Sequence, residues 1–109
     1  MDDDEVLVVL TNLPDQDSAR RLAMAVVESR AAACVNVLSG SRSVYRWEGA
    51  IESADEVPVM IKTTRSRYPA LERELRTLHP YELPEIIALP VVAGLGPYLA
   101  WVRAETRPA

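Results

Sequence analysis

The apolar positions of the chain alternate between short continuous runs and helix-like stripes. Residues 6–10 are five consecutive apolar residues rich in valine, which is typical of a strand buried on both faces. Apolar side chains at helical spacing predict one helix over about 18–30 and a second over 66–78. Between these helices, apolar and polar residues alternate over about 33–47 and again over 51–64. This alternation predicts two long strands.

The two middle strands are unusually long, at roughly fourteen residues each against the usual five or six. Gly40 is expected to bend or bulge the first of them, and Gly49 suits the positive φ of a tight turn at 47–50. A hairpin of this length projects beyond a small sheet and exposes strand edges and aromatic side chains, which proteins normally cover. The simplest cover is another copy of the chain, so we predict a homo-oligomer.

A fourth strand is predicted over 85–92 and a short last helix over about 97–105. The order is therefore β-α-β-β-α-β followed by a helix. This is the ferredoxin-like arrangement of the α+β class, with two helices on one face of an antiparallel sheet. We expect one domain over residues 1–109, in which the acidic residues 1–5 are a disordered terminus.

Composition and charge narrow the function classes. The 109 residues are 49% hydrophobic and carry a net charge of −4, which argues against a nucleic-acid partner. No apolar run reaches the 18–20 residues or so that a membrane span needs, and the acidic start is unlike a secretory leader. A single cysteine, Cys34, fits a reducing compartment. We therefore expect a cytoplasmic location.

Five segments carry strings that are specific enough to compare with known families: Ala32–Asn36, Ser43–Gly49, Ile61–Thr63, His79–Ile86 and Tyr98–Trp101. In order and spacing, they resemble the CutA divalent-cation tolerance proteins over about residues 6–106. The resemblance implies a ferredoxin-like fold assembled as a homotrimer whose long hairpins pair between subunits. It implies a cytoplasmic role in tolerance of divalent metals, especially copper. A likeness of that family to the trimeric PII signalling proteins suggests signal transduction or ligand sensing instead.

Candidate metal ligands are few. The Cys34 thiol suits copper(I), although a cysteine among alanines and valines equally suits a small buried hydrophobe. The imidazole of His79 suits copper, zinc or nickel, or it caps the preceding helix. Two carboxylates follow closely along the chain and are candidate oxygen ligands. The predicted metal set is Cys34, His79, Glu82 and Glu85, with no obligatory cofactor and copper or another divalent cation as the candidate ion.

The chain departs from relatives that support copper binding. Those proteins carry a cysteine at the end of the first strand and paired histidines after the second helix. Here Thr11 and Leu78 stand at two of these positions, and only His79 remains. The remaining route to a metal site is ligands shared between subunits.

The large aromatic side chains are typical of a core or an interface. The alternative is a small-ligand pocket between subunits, with aromatic walls and a few charged groups. Lys62 lies on an apolar strand, so burial requires a partner, and Glu56 and Glu85 are the candidates. The predicted pocket residues are Tyr45, Trp47, Glu56, Lys62, Tyr81 and Trp101.

Templates for catalysis are missing from the sequence. It contains no nucleophile elbow, P-loop, HExxH zinc motif or paired-cysteine metal ribbon. We therefore predict a protein that is not an enzyme. Two hypotheses remain: a homotrimer for divalent-cation tolerance that binds metal weakly, and a PII-like trimeric sensor in which metal binding is incidental.

Overall fold

A computed structural model describes residues 4–108 of the chain, with five strands and three helices. The elements are β1 (Val6–Leu13), α1 (Gln16–Glu28), β2 (Cys34–Val37), β3 (Ser41–Trp47), β4 (Ala50–Thr64), α2 (Tyr68–Leu78), β5 (Ile87–Pro90) and α3 (Gly96–Glu105). All strand pairs are antiparallel, in the order β2-β4-β1-β5, and β3 pairs with the first half of β4. The ferredoxin-like α+β prediction is confirmed, because β2 and β3 are the two halves of the second predicted strand.

A β-bulge divides that strand. Between the pairs Val37–Val59 and Ser41–Glu56, the segment from β2 to β3 advances four residues while β4 advances three. The extra residue falls beside Gly40, as predicted. Beyond the bulge, β3 and residues 50–56 of β4 form a two-stranded ribbon, called the arm below.

The arm ends in the predicted tight turn. Glu48 and Gly49 both have positive φ, of 48° and 81°. Two central residues in the left-handed region are what a two-residue type I′ hairpin requires, because this turn matches the twist of the flanking strands.

Two strand lengths differ from the prediction. The first strand, predicted over residues 6–10, continues to Leu13, because residues 11–13 pair with residues 57–59 of β4. Backbone pairing thus overrides the preference of Asn12 for loops. Conversely, β5 has four residues, because only 87–90 find partners on β1.

The helices α1 and α2 cover one face of the sheet. Asp15 caps α1: its Oδ1 accepts a hydrogen bond from the Ser18 backbone N–H at 2.7 Å, which lowers the pKa of Asp15. In α2, Pro69 occupies the first turn, where its missing N–H leaves no helical bond unmade. The core between these layers consists mainly of Val9, Leu13, Leu22, Val26, Val59, Ile61, Leu71 and Leu75. Within residues 4–108, no helix has both the length and the apolar character of a membrane span.

The opposite side of the sheet, called the open face below, is only partly covered. Alternation along the paired strands assigns to it Val8, Leu10, Asn12, Cys34, Asn36, Met60, Lys62, Ile87 and Leu89. The helix α3 covers one end, where Val102 is fully buried beside Val6 and Ala33. At the uncovered edge, Ile87 and Leu89 are 48% and 49% exposed.

Two residues of the acidic start, which is predicted to be disordered over residues 1–5, contact the body of the domain. The Glu5 carboxylate accepts a hydrogen bond from Arg65 Nε at 3.0 Å, and the Arg103 Nε donates to the Asp4 carbonyl at 2.8 Å. These contacts hold Asp4 and Glu5 against the body of the domain, because two arginines lie within reach. Residues 1–3 lie outside the described part of the chain.

Two threonines are buried on the helix side of the sheet, and replacing each with valine is expected to change the free energy of unfolding in opposite directions. The hydroxyl of Thr63 donates to the Ala31 carbonyl at 2.6 Å, whereas the buried hydroxyl of Thr11 has no partner within residues 4–108. Because an unpaired buried hydroxyl is destabilising, Thr11→Val is expected to raise the free energy of unfolding by about 1 kcal/mol. Thr63→Val strands a carbonyl and is expected to lower it by about 1–2 kcal/mol. Urea denaturation of both variants checks the pair, and a destabilised Thr11→Val protein would contradict the assignment.

Candidate functional site

Six of the ten predicted site residues lie in two groups, each of which also contains residues that were not predicted. The first, called the His79 group below, consists of Asn12, Glu56, His79, Tyr81 and Glu85. The second, called the Cys34 group below, consists of Cys34, Asn36, Lys62 and Tyr98. Cys34 and Lys62 align with Val8 on β1, whereas the His79 group lies at Asn12, four residues further along the same strand. At a rise of about 3.3 Å per strand residue, the two groups lie roughly 13 Å apart.

His79 directly follows α2 and is held by hydrogen bonds on both sides of its ring. Its side chain is buried, with 7% exposure. Nε2 lies 2.8 Å from the Asn12 carbonyl, to which it donates, and Nδ1 accepts from the Tyr81 backbone N–H at 3.2 Å. These contacts select the neutral tautomer with its proton on Nε2, and burial lowers the pKa of His79 below its usual value. The lone pair that a metal needs is therefore already in use.

Tyr81 links His79 to the arm. Its ring lies 4.8 Å from the His79 ring, and its hydroxyl donates to the Glu56 carboxylate. Burial and this hydrogen bond raise the pKa of Tyr81 well above its usual range, with a smaller contribution from Tyr45 on β3. On the other side, Glu85 accepts a hydrogen bond from the Asn12 amide at 3.0 Å. Three predicted pocket residues, Tyr45, Glu56 and Tyr81, thus meet beside His79.

The Cys34 group lies under α3. Cys34 is partly exposed, and its thiol lies beside the Tyr98 hydroxyl. Burial raises the pKa of Tyr98, and the neighbouring thiol raises it further. The ammonium of Lys62 donates to the Asn36 side-chain oxygen rather than to a carboxylate. Asn36 is the diagonal cross-strand neighbour of Lys62, so the amide is closer than either glutamate predicted as its partner.

The six predicted pocket residues do not assemble within one chain. Tyr45, Glu56 and Tyr81 belong to one end of the open face, and Lys62 belongs to the other. Trp101 packs against Tyr98 with ring centroids 5.7 Å apart, on the Lys62 side. Trp47 lies at the tip of the arm, next to the turn. A single pocket containing all six therefore requires another subunit.

The predicted metal ligands do not fit an ion within one chain. Cys34 and His79 belong to different groups, Glu82 is exposed in the loop after α2, and Glu85 is bonded to Asn12. Among residues 4–108, no three histidine, cysteine, aspartate or glutamate side chains are grouped so that they could bind a metal. Thr11 is buried with the core residues of β1.

Three residues of these groups lie outside the predicted sites. Asn12 follows the first predicted strand and was not a candidate, yet its carbonyl fixes the His79 ring. Asn36 holds Lys62, and a carboxamide inside an apolar strand was an available signal for such a partner. Tyr98 was treated as packing, because no sequence pattern indicates that α3 crosses above Cys34.

One cavity lies away from both groups. It has a volume of about 350 Å³ and opens between the start of α2 and the edge strand β5. Its lining residues are Leu7, Arg65, Tyr68, Pro69, Ala88 and Pro90. Burial and a hydrogen bond from its hydroxyl to Glu72 raise the pKa of Tyr68 to about 12, so this wall is uncharged at neutral pH.

Comparison with known proteins assigns the family. The profile described as CutA1 divalent ion tolerance protein matches residues 7–105. The chain belongs to this family. The match includes both residue groups and the whole arm, so the two parts of the open face are features of one family domain.

Individual relatives agree with this assignment. The divalent-cation tolerance protein CutA of Thermus thermophilus is 44% identical over 99 residues, which are 91% of this chain and 96% of that protein. The crystal structure of CutA from Xylella fastidiosa superposes with a TM-score of 0.92 at 41% identity, covering 94% of this chain and 99% of that one. An Archaeoglobus fulgidus structure, named a periplasmic divalent cation tolerance protein, superposes at 0.90 with 30% identity, covering 94% and 99%. This architecture thus extends across distant members of the family.

Proposed function

We propose that this protein acts in divalent-cation tolerance as a homotrimer. The observation that carries the trimer is the exposed apolar surface of the open face and the arm. Tyr45, Trp47, Ile87, Leu89 and Trp101 each expose between 39% and 49% of their surface. Side chains of this size are favoured in buried interfaces, and a two-stranded ribbon such as the arm is marginally stable by itself. Packing of three copies covers both regions.

We propose that cations bind between subunits, with Cys34 as the soft ligand. A single chain supplies no group of three ligands within residues 4–108, whereas Cys34 is partly exposed on the surface that the trimer would cover. A thiolate favours copper(I) and other thiophilic ions over calcium or magnesium. The remaining ligands then come from a neighbouring copy.

The cellular setting that we propose is the cytoplasm, without a nucleic-acid partner and without catalysis. The single free cysteine suits a reducing compartment, and the net charge of −4 opposes binding to polyanions. The family is named for tolerance of divalent ions, and this name describes no reaction.

Calorimetric titration with copper(I) and zinc tests the metal proposal. The metal-stripped protein is expected to bind copper(I) at a saturable, stoichiometric site, and Cys34→Ser is expected to lose it. Met24→Leu is the matched control, since it removes an exposed sulfur from α1, away from the open face. Equal binding by the Cys34→Ser protein, or no saturable heat in the wild type, would contradict the proposal.

A second candidate function, a trimeric ligand sensor, is favoured by the His79 group. Glu56, Tyr81 and Tyr45 meet at the base of the arm, where a second copy would close the pocket. Native mass spectrometry of protein purified under mild conditions should then show a small molecule bound per interface. Tyr81→Phe with Glu56→Gln should remove that mass, and Arg73→Gln on the far helix should retain it. An identical spectrum for all three proteins would contradict a sensor role.

A further inference from the structure

The cavity between the start of α2 and the edge strand β5, called the Tyr68 cavity below, lies on the helix side of the sheet. Ala88 aligns with Val9, which belongs to the core that the helices cover. Alternation along the strand therefore directs Ala88, and Pro90 two residues later, toward the helices. Because Ala88 carries only a methyl group, space remains beside α2. The volume of about 350 Å³ lies at the lower end of the 300–1,000 Å³ or so that small-molecule sites enclose.

The walls of the Tyr68 cavity are mainly apolar, and they are held in place. The Tyr68 ring packs against the core, and its hydroxyl donates to the Glu72 carboxylate at 2.8 Å, which fixes the orientation of the ring. Pro69 and Pro90 line the cavity with closed rings and have no backbone N–H. Leu7 is buried on β1. A ligand therefore meets surfaces that need little ordering, which reduces the entropic cost of binding.

Arg65 is the charged side chain among the described residues that line the cavity. Its Nε donates to the Glu5 carboxylate at 3.0 Å, and its Nη2 donates to the same oxygen. Glu5 thus neutralises the guanidinium at short range. A guanidinium carries five N–H donors, so donors remain beyond these two bonds. The Tyr68 cavity consequently combines apolar walls with hydrogen-bond donors whose charge is already compensated.

We propose that the Tyr68 cavity binds a small uncharged aromatic molecule that carries a carbonyl group. The aromatic ring of the ligand packs against Tyr68 and the two prolines, and its carbonyl accepts a hydrogen bond from Arg65. A ligand carboxylate at the same place would lie near the carboxylate of Glu5 and be repelled by it, so an uncharged acceptor is favoured. None of the residues of the two site groups lines the cavity, so this site is independent of the proposed metal and trimer functions.

Titration with benzamide, followed by amide chemical shifts, tests the proposal. Saturable shifts are expected within residues 65–71 and 86–89, with a dissociation constant on the order of 1 mM for so small a ligand. Acetamide, which has the carbonyl but no ring, should not produce saturable shifts. Ala88→Leu fills the cavity and is expected to weaken binding at least tenfold. The matched control is Ala100→Leu, at an exposed alanine of α3 on the other side of the sheet, which should leave affinity within twofold.

Two further variants test the role of the Arg65–Glu5 pair and keep the test valid should the Ala88→Leu protein unfold. Arg65→Gln is expected to weaken benzamide binding about threefold, because it removes the guanidinium donors. In the wild type, benzoate at equal ionic strength should bind at least fivefold more weakly than benzamide. Glu5→Gln removes the repelling carboxylate, so it should strengthen benzoate binding at least fivefold and leave benzamide binding within twofold.

Three results would overturn the proposal. The first is a non-saturable response of the wild type to benzamide. The second is unchanged benzamide affinity in folded Ala88→Leu and Arg65→Gln proteins, which would place the ligand outside the Tyr68 cavity. The third is tighter binding of benzoate than of benzamide by the wild type, which would show that the pairing with Glu5 does not select an uncharged ligand.

Discussion

Replacing Leu89 with glutamate is expected to convert the proposed trimer, with a mass of about 36 kDa, into a folded monomer of about 12 kDa. Leu89 lies on the open face of the edge strand β5, opposite Val8, and is already 49% exposed in the single chain. A glutamate there remains hydrated in the monomer, so the fold itself should be retained. In the proposed interface, the same carboxylate would be buried without a partner, which costs about 3–5 kcal/mol. Light scattering after size-exclusion chromatography measures the change in mass.

Met24→Glu is the matched control for this substitution. Met24 is 64% exposed on α1, on the helix side of the domain, so a glutamate there should leave the mass at about 36 kDa. A Leu89→Glu protein that keeps the trimer mass would show that the open face is not the interface. Circular dichroism of both variants confirms that each remains folded.

Replacing His79 with alanine is expected to lower the free energy of unfolding by about 2–4 kcal/mol. The substitution leaves the Asn12 carbonyl and the Tyr81 N–H without their buried partner and creates a cavity beside the Tyr81 ring. Urea denaturation at pH 7.5 and fixed protein concentration measures the loss. The neighbouring substitution Leu78→Ala, at a side chain that is 44% exposed, should cost less than about 1 kcal/mol. Equal losses in both variants would contradict the structural role of His79.

The contribution of His79 to the free energy of unfolding should also depend on pH, and the burial of the ring determines the direction. The pKa of His79 is lowered in the folded protein. As the pH falls below the usual pKa of 6.5, the unfolded chain therefore binds a proton at His79 more readily than the folded protein does. The stability that His79 contributes is therefore complete above pH 6.5 and decreases as the pH falls below it. As His79 is the only histidine, the difference in stability between wild type and His79→Ala should be smaller at pH 5.5 than at pH 7.5. A constant or larger difference would contradict the neutral, buried ring.

Most of the fold could be predicted from the sequence, because its signals are local. Alternation identified the long strands, helical spacing identified α1 and α2, and Gly40 and Gly49 marked the bulge and the turn. The errors arose where pairing partners determine length. Asn12 extends β1 because it aligns with Pro58, and Asp4 and Glu5 are ordered because Arg103 and Arg65 lie nearby. Such partners are distant in sequence and leave no local pattern.

Less of the candidate site could be predicted, because the type of a residue does not indicate at which end of the sheet it lies. Cys34 and His79 are both reasonable ligands, yet the register places them at different ends of the open face. Lys62 needed a polar partner, as expected, but the diagonal neighbour Asn36 is nearer than any carboxylate. By contrast, Glu56 and Tyr81, which both belong to the predicted pocket, are neighbours in the structure.

A metal site at Cys34 would need ligands from more than one chain. His79 uses both ring nitrogens within its own chain, and Cys34 has the Tyr98 hydroxyl and Lys62 as neighbours rather than a second ligand. A cation that binds to Cys34 must therefore recruit ligands that the single chain does not place there. Under the proposed function, cation binding would therefore depend on a neighbouring copy of the chain.

Copper(I) titration of the wild-type protein beside the Leu89→Glu variant tests this dependence most directly. Both proteins retain Cys34, and the substitution is designed to remove the neighbouring copies. We expect a saturable copper site in the wild-type protein and its loss, or a weakening of at least tenfold, in the variant. Equal affinity and stoichiometry in the two proteins would contradict a site shared between subunits.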